Sequence, residues 1–341
     1  MTKKSTKIAF FDIGTNSIHM LIVDVKPGLR FEILDHEKDM TRLGDGSFEK
    51  KRLSVASIDR AVQVIERFYK IAKKQNVSKF FATATSAVRD AENKRAFTDA
   101  VYKKTKIRVQ VISGEEEGRL IFLAARSGVK SHSKKALVID IGGGSMELIL
   151  GDYENIYLNR SFKLGVTRLT DHFISSDPPS KKEIKKIEKW VESEIRPFIK
   201  KAKKVGFSAV IGTAGTMINL ASMAYEEKHD KPLTLSGHYR LTHKELYKIY
   251  KKLTRRNLRE VLKMPGLDLK RADIITAGAV LVETLMRLLK TEDMFISNKG
   301  IREGAILDYL LKHEAKSYEP GAPYHIEWFG QKPFFNGRII L

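Results

Sequence analysis

Two short apolar runs, IAFFDI at 8–13 and IHMLIVDV at 18–25, are separated by the polar turn Gly14-Thr15-Asn16-Ser17. Runs of this length bounded by turn residues predict a hairpin of buried strands. The same design returns at 138–150, where VIDI and MELIL flank Gly142-Gly143-Gly144-Ser145. After the first hairpin the pattern predicts a strand-like segment in RFEILDHEKDMTRLG and a helix from about Ser54, with Ile58, Val62, Ile65 and Phe68 on one stripe. KFFATATSAVRD reads as a buried strand leaving through a polar loop, with Arg89 at its end. NKRAFTDAVYKKT is helical, IRVQVIS a strand, and Glu115 to about Ala125 helical again. The second hairpin opens a second cycle: a strand in NIYLNRSFKLGV, a helix over 181–204, a strand SAVIG running into the helix TAGTMINLASMAY, and mainly helix from 242 to 290. MFISNKG is a late strand and 301–312 a helix. The tail from Tyr318 is aromatic, broken by Gly and Pro and without period, which suits packing or an oligomer contact better than catalysis.

Asp12 and Asp140 head the two turns 128 residues apart, and the 341-residue chain is long enough for two compact domains at that spacing. An α/β fold of two similar halves follows. No run of about 18 apolar residues occurs, and MTKKSTK leads directly into a strand. The expectation is a cytoplasmic protein with no membrane partner. The absence of cysteine excludes disulfides, thiolate nucleophiles and cysteine-ligated metals. The net charge of +21 predicts attraction to polyanions. Lysines on the outer faces of an amphipathic helix such as 181–204 are a weak nucleic-acid signal, and nucleic acid is disfavoured as a partner.

A turn rich in Gly, Ser and Thr lets backbone N–H groups converge on an anion, because glycine permits close approach. An aspartate just before such a turn would repel phosphate unless a divalent cation reconciled them, so Asp12 and Asp140 are metal candidates. Hairpin-making alone explains one copy of Asp and Gly; two copies and a third small-residue turn, VIGTAGT at 210–216, favour the anion-binding reading.

The segments DIGTNSIHML, TRLGDG, ATSAVRDA, VISGEEEGRLIF, VIDIGGGSMEL, SFKLGVTRLT, IGTAGT, RADIITAG and NKGIREG span residues 8 to about 310. As a set they resemble the exopolyphosphatase/guanosine pentaphosphate phosphohydrolase (Ppx/GppA) family of the actin, sugar kinase and heat-shock chaperone superfamily. The resemblance implies two actin-like (ribonuclease H-like) α/β domains with an interdomain cleft. Domain I would comprise residues 1–121 with about 301–312 and domain II residues 122–300, and the resemblance assigns no role to the C-terminal tail 313–341. It implies phosphate-binding loops at Gly14, Thr15, Asn16 and Ser17, at Gly142, Gly143, Gly144 and Ser145, and at Gly212, Thr213, Gly215 and Thr216. The family's catalytic glutamate falls on Glu117, beside Glu116, where a carboxylate would orient and deprotonate water. Asp140 and Glu147 join it as catalytic candidates. Arg89 would grip phosphate, the alternative being an ion pair with Asp90 or Glu92. His19, the counterpart of Glu147, and Arg168, Arg271 and Arg302 lie in matching segments without an assigned role. Two departures stand out: Met146 where the family has threonine, and Ala214 where it has glycine.

The implied function is Mg²⁺-dependent removal of the terminal phosphate from inorganic polyphosphate, with Mn²⁺ as an alternative ion. Hydrolysis of guanosine pentaphosphate (pppGpp) on the same fold is the first alternative, and a non-catalytic polyphosphate- or alarmone-binding protein the second. A homodimer would extend the binding groove. The missing GxxxxGK[ST] motif disfavours a P-loop enzyme.

Overall fold

A computed structural model of the chain describes residues 5–127, 135–235, 239–315, 325–329 and 336–340. It divides into two compact units, one of Met1–Lys130, Tyr153–Asn155 and Ile301–Leu341, the other of Ser131–Asp152 and Ile156–Gly300.

In the first unit, β1 (Thr6–Ile13), β2 (Ile18–Lys26) and β3 (Arg30–Asp39) form an antiparallel meander. The short α1 (Ser47–Lys50) and the long α2 (Val55–Lys74) follow, then β4 (Lys79–Ala84) parallel to β1. Next come α3 (Ser86–Arg89), α4 (Lys94–Thr105), β5 (Val109–Val111) and α5 (Gly114–Arg126). The alternation in β1 separates two cores. Ala9, Phe11 and Ile13 face the α2 stripe of Ile58, Val62, Ile65 and Phe68, while Ile8 and Phe10 face Ile306, Leu307 and Leu310 of α12 (Ile301–His313). Asp12 therefore lies on the strand face shared with Ile8 and Phe10.

The second unit repeats the plan. Its sheet holds the hairpin β6 (Ala136–Ile141) and β7 (Met146–Gly151), then β8 (Ile156–Phe162). After α6 (Val166–Phe173) and α7 (Lys181–Val205), β9 (Ala209–Thr213) runs parallel to β6 and leads directly into α8 (Ala214–His229). The remaining elements are β10 (Tyr239–Thr242), α9 (His243–Leu253), α10 (Leu258–Val261), α11 (Ile275–Leu289) and β11 (Asp293–Ile296). The order β3-β2-β1-β4-β5 within the first sheet is matched by β8-β7-β6-β9-β11 in the second. The sequence repeat is thus a repeat of topology.

Two expectations are corrected. Arg89 does not end a strand: β4 stops at Ala84, and Arg89 N–H donates to Thr85 C=O at 2.8 Å in the one-turn helix α3. The tail is also not without regular structure. It contributes β12 (His325–Phe329) and β13 (Asn336–Ile340), which pair with each other, and β13 pairs with β3 at Gly337↔Phe31 and Arg338↔Arg30. Five-residue strands are too short to register as a period, and this pairing covers part of what would otherwise be an open sheet edge. Tail residues 316–324, 330–335 and 341 lie outside the described residues.

At the β9–α8 junction Ala214 has φ +72°, in the left-handed region that favours glycine. A Cβ there costs about 1–2 kcal/mol. Ala214→Gly is expected to raise stability by about 0.5–1 kcal/mol, the relief exceeding the added chain entropy. An upward shift in melting temperature checks it; a decrease would show that the Ala214 methyl makes compensating contacts.

Candidate active site

The two repeated turns close with the same bond. Gly14 N–H donates to Ser17 C=O at 3.0 Å, and Gly142 N–H to Ser145 C=O at 3.0 Å. In each, a second segment takes up the turn's carbonyls. Arg42 N–H donates to Asn16 C=O at 2.9 Å and Gly44 N–H to Thr15 C=O at 2.9 Å. In the second unit, Val166 donates to Gly142 C=O at 3.0 Å and Thr167 to Gly143 C=O at 2.9 Å. Both buttresses need a glycine: a Cβ on Gly44 would lie 2.4 Å from Thr15 Cγ2, and one on Gly165 would lie 2.3 Å from the Gly143 carbonyl. The motifs TRLGDG and SFKLGVTRLT thus support the turns they accompany. Arg168 belongs to the same support, its Nε donating to Gly144 C=O at 3.0 Å.

Strand register fixes what stands behind each turn. Asp12 faces His19 on β2 and Thr83 on β4; Asp140 faces Glu147 on β7 and Thr213 on β9. His19 Nε2 is 2.9 Å from Ser17 Oγ, and its ring stacks on His36. Glu147 is fully buried and accepts from Ser161 Oγ at 2.7 Å, while Asp140 is 8% exposed. Met146 points the other way, into the core with Ile141 and Leu148, so this departure from the family pattern leaves the Asp140–Glu147 face unchanged.

The third turn is the strand-to-helix junction itself. Thr213 Oγ1 donates to Lys299 C=O at 2.5 Å, and both residues are buried. The Arg271 guanidinium lies against Gly215, paired with Asp268 at 3.4 Å. Burial lowers the Arg271 pKa, against the pull of Asp268.

Glu117 lies in the first turn of α5, whose cap Ser113 accepts from Glu116 N–H at 3.1 Å. Three acids there suit the helix dipole. The helix turn separates their fates. Glu116 takes a two-pronged bond from Arg119 at 2.8 Å, and Arg119 also reaches Asp308 of α12 at 2.8 Å, so Glu116 belongs to a clamp between two helices. Glu117 instead accepts from Arg89 Nη1 at 2.8 Å, and Arg89 also donates to Ile112 C=O at 3.2 Å. The ion pair shown for Arg89 is therefore with Glu117. Glu117 is 8% exposed; burial raises its carboxyl pKa, Arg89 opposes the rise, and Asp90 adds to it. Asp12 lies within electrostatic reach. Desolvation pushes its carboxyl up to about 7 while Arg302 draws it down and Glu117 pushes it further up. The first unit therefore gathers Asp12, Arg89, Glu117 and Arg302; the second gathers Asp140, Glu147, Ser161 and the third turn.

No group of three or more His, Asp or Glu side chains among the described residues is arranged as a ready-made metal cage. The donors nonetheless fit a hard divalent cation. Asp140 and Glu147 are carboxylates at directly paired positions of adjacent strands, where side chains share one face, and both are buried. Two such negative groups suit an ion that takes one or two carboxylates and completes its shell with water and phosphate oxygen. Ser161 and Lys299 were missed in the sequence; Ser161 was detectable only through the β7–β8 register, Glu147↔Ser161.

Comparison with known proteins agrees with this architecture. A profile of the Ppx/GppA phosphatase family matches residues 21–313. Exopolyphosphatase 1 of Mycobacterium tuberculosis is 30% identical over 312 residues, covering 89% of this chain and 88% of its own. The crystal structure of an exopolyphosphatase from Cytophaga hutchinsonii superposes with TM-score 0.83 at 31% identity, covering 89% of this chain and 98% of that one. The Aquifex aeolicus Ppx/GppA family member gives TM-score 0.76 at 27% identity over 92% of this chain and 100% of its own. The chain belongs to the Ppx/GppA phosphatase family and has its α/β, two-domain, actin-like fold. Among the described residues no helix is long and apolar enough to cross a membrane.

Two outcomes are expected. Gly165→Ala should push the 142–145 turn out of place and cost about 1–3 kcal/mol, measured by denaturant unfolding; an unchanged midpoint would contradict the close approach. Asp12 has its pKa raised on folding, so it costs stability progressively as pH rises from about 4 toward 7. In chelator, Asp12→Asn should therefore be near neutral at pH 4 and stabilising at pH 8 in thermal melts. Equal effects at both values would remove the burial argument.

Proposed function

We propose that this chain is an exopolyphosphatase, hydrolysing the terminal phosphate of inorganic polyphosphate. The observation that carries the reading is Glu117, a buried carboxylate whose Oε2 is held at 2.8 Å by Arg89. A carboxylate with a raised pKa is a stronger base than a solvated one, and fixing one oxygen leaves the group aimed. In this reading Glu117 orients a water in line with the terminal phosphorus and takes its proton as the P–O bond to the leaving chain breaks. Arg89 positions Glu117, and its remaining N–H groups face phosphate oxygens. Backbone N–H groups of Thr15 to Ser17, of Gly143 to Ser145 and of the Gly212–Thr216 turn bind phosphate, since the neighbouring segments already occupy turn carbonyls; Gly14 and Gly142, whose own N–H groups close the turns, serve by letting the anion approach closely. Asp140 and Asp12 are the proposed metal donors, each in its own unit; Glu147, held by Ser161, adds the second carboxylate beside Asp140. Bound Mg²⁺, or Mn²⁺ in its place, would neutralise phosphate oxygens and stabilise the leaving group. The exopolyphosphatase names of the Mycobacterium and Cytophaga relatives support the substrate.

Phosphate release from polyphosphate and from guanosine pentaphosphate, with Mg²⁺, Mn²⁺ or chelator, tests the reading. Glu117→Gln should lower kcat by about 10²–10⁴-fold with the fold retained, and chelator should abolish turnover. Undiminished turnover by Glu117→Gln would refute the base; exclusive cleavage of guanosine pentaphosphate would replace the substrate.

A further inference from the structure

The net charge of +21 includes an organised surface remote in sequence from every turn described above. On α9, Leu246, Ile249 and Leu253 are buried and anchor the helix. The outer face carries Lys248, Lys251 and Lys252, continued past the helix end by Arg255 and Arg256. These positions follow the spacing i, i+3, i+4, i+7, i+8, and Thr254 keeps a helical backbone (φ −73°, ψ −2°), so the stripe carries on along one side. The five cations and Glu227 line an open groove of about 470 Å³. Glu227 pairs with Lys252 at 2.7 Å. A second cavity of about 320 Å³ shares Glu227 and Lys248 and adds Lys228, Lys244 and Glu245. The two adjoin at Glu227 and Lys248; in the second, Lys228 is paired with Glu245 at 2.8 Å, so Lys244 and Lys248 are the cations that extend the basic stripe of the first.

Stacking like charges at helical spacing costs about 0.2–0.5 kcal/mol for each neighbouring pair. The helix dipole offsets this only in the last turn, which accounts for Lys251 and Lys252 and leaves Lys248, Arg255 and Arg256 unexplained. The lining of the larger groove holds no aromatic side chain on which a base could stack and no Asn or Gln to read a base edge. What it offers is closely spaced positive charge, the complement of a polymer that carries closely spaced negative charge and no bases.

We propose that the α9 track, Lys244, Lys248, Lys251, Lys252, Arg255 and Arg256, is an exosite that holds the distal part of a long inorganic polyphosphate chain. The inference rests on the exopolyphosphatase reading for its ligand and adds to it a site that selects for chain length. A short chain that fills only the hydrolytic site gains nothing from the track. A long one gains counterion release at each contact, lowering its KM and slowing its escape between cleavages.

The experiment compares a quadruple variant, Lys248→Gln/Lys251→Gln/Arg255→Gln/Arg256→Gln, with an equal charge removal from the exposed face of α7, Lys182→Gln/Lys185→Gln/Lys186→Gln/Lys189→Gln. Steady-state hydrolysis is measured on long-chain polyphosphate and on tripolyphosphate, and direct binding of long-chain polyphosphate and of duplex DNA is measured in the Glu117→Gln background. The α9 variant should raise the long-chain KM about ten-fold or more with kcat and the tripolyphosphate KM unchanged. It should also weaken polyphosphate binding in parallel and flatten its salt dependence. The α7 variant should do little, and Lys248→Arg/Lys251→Arg, which keeps the charge, should behave as wild type. An unchanged long-chain KM, an equal effect from the α7 variant, or a loss confined to DNA would each overturn the exosite. If the wild type cleaves no polyphosphate at all, the hydrolase reading fails, and the binding arm still decides the track.

Discussion

In both hairpin turns backbone carbonyls are tied back by a neighbouring segment, and the orientation of the turn amides depends on it. Asn16 and Thr15 accept from Arg42 and Gly44, and Gly142 and Gly143 from Val166 and Thr167. A peptide whose C=O is held on one side presents its N–H on the other, so fixing the carbonyls orients the amides as a group. A Cβ on Gly165 would lie 2.3 Å from the Gly143 carbonyl, so the arrangement leaves no room for a side chain there. Amides oriented by the fold require no reorganisation when an anion arrives, the condition under which electrostatic stabilisation is strongest.

The repeat supplies two equal cradles and the residues behind them make the copies unequal. Behind the first turn Asp12 faces His19; behind the second Asp140 faces Glu147. The first unit then places Glu117 and its Arg89 partner within electrostatic reach of Asp12. A carboxylate pushed toward its neutral form by burial and held ionised by one arginine is poised between acid and base. The second unit has instead a buried pair of carboxylates suited to a cation. The two units share one topology, and differences at a few strand positions leave their turns backed by different side chains.

Much of this was legible in the sequence because it follows from period and turn chemistry. The α2 stripe of Ile58, Val62, Ile65 and Phe68 is buried as its spacing implied, and the helix expected over 181–204 is α7. Glu147 entered as a candidate through the family resemblance, and the register sets it directly opposite Asp140. What was not legible came from contacts distant in the chain. Arg89 reaches Glu117 across 28 residues, Thr213 reaches Lys299 across 86, and Ser161 meets Glu147 only through β8. Glu116 and Glu117 cannot be told apart by spacing; they differ because Arg119 captures one and Arg89 the other. The strain at Ala214 is likewise a backbone angle, invisible until the β9–α8 junction is seen.

The central claim, that the turn amides are the phosphate-binding groups, is tested most directly by following the backbone ¹H–¹⁵N signals of residues 14–17 and 142–145 as tripolyphosphate is added to the Glu117→Gln protein with Mg²⁺. The account predicts saturable shifts at both turns with one affinity. Shifts confined to lysine-rich helices, with both turns silent, would contradict it.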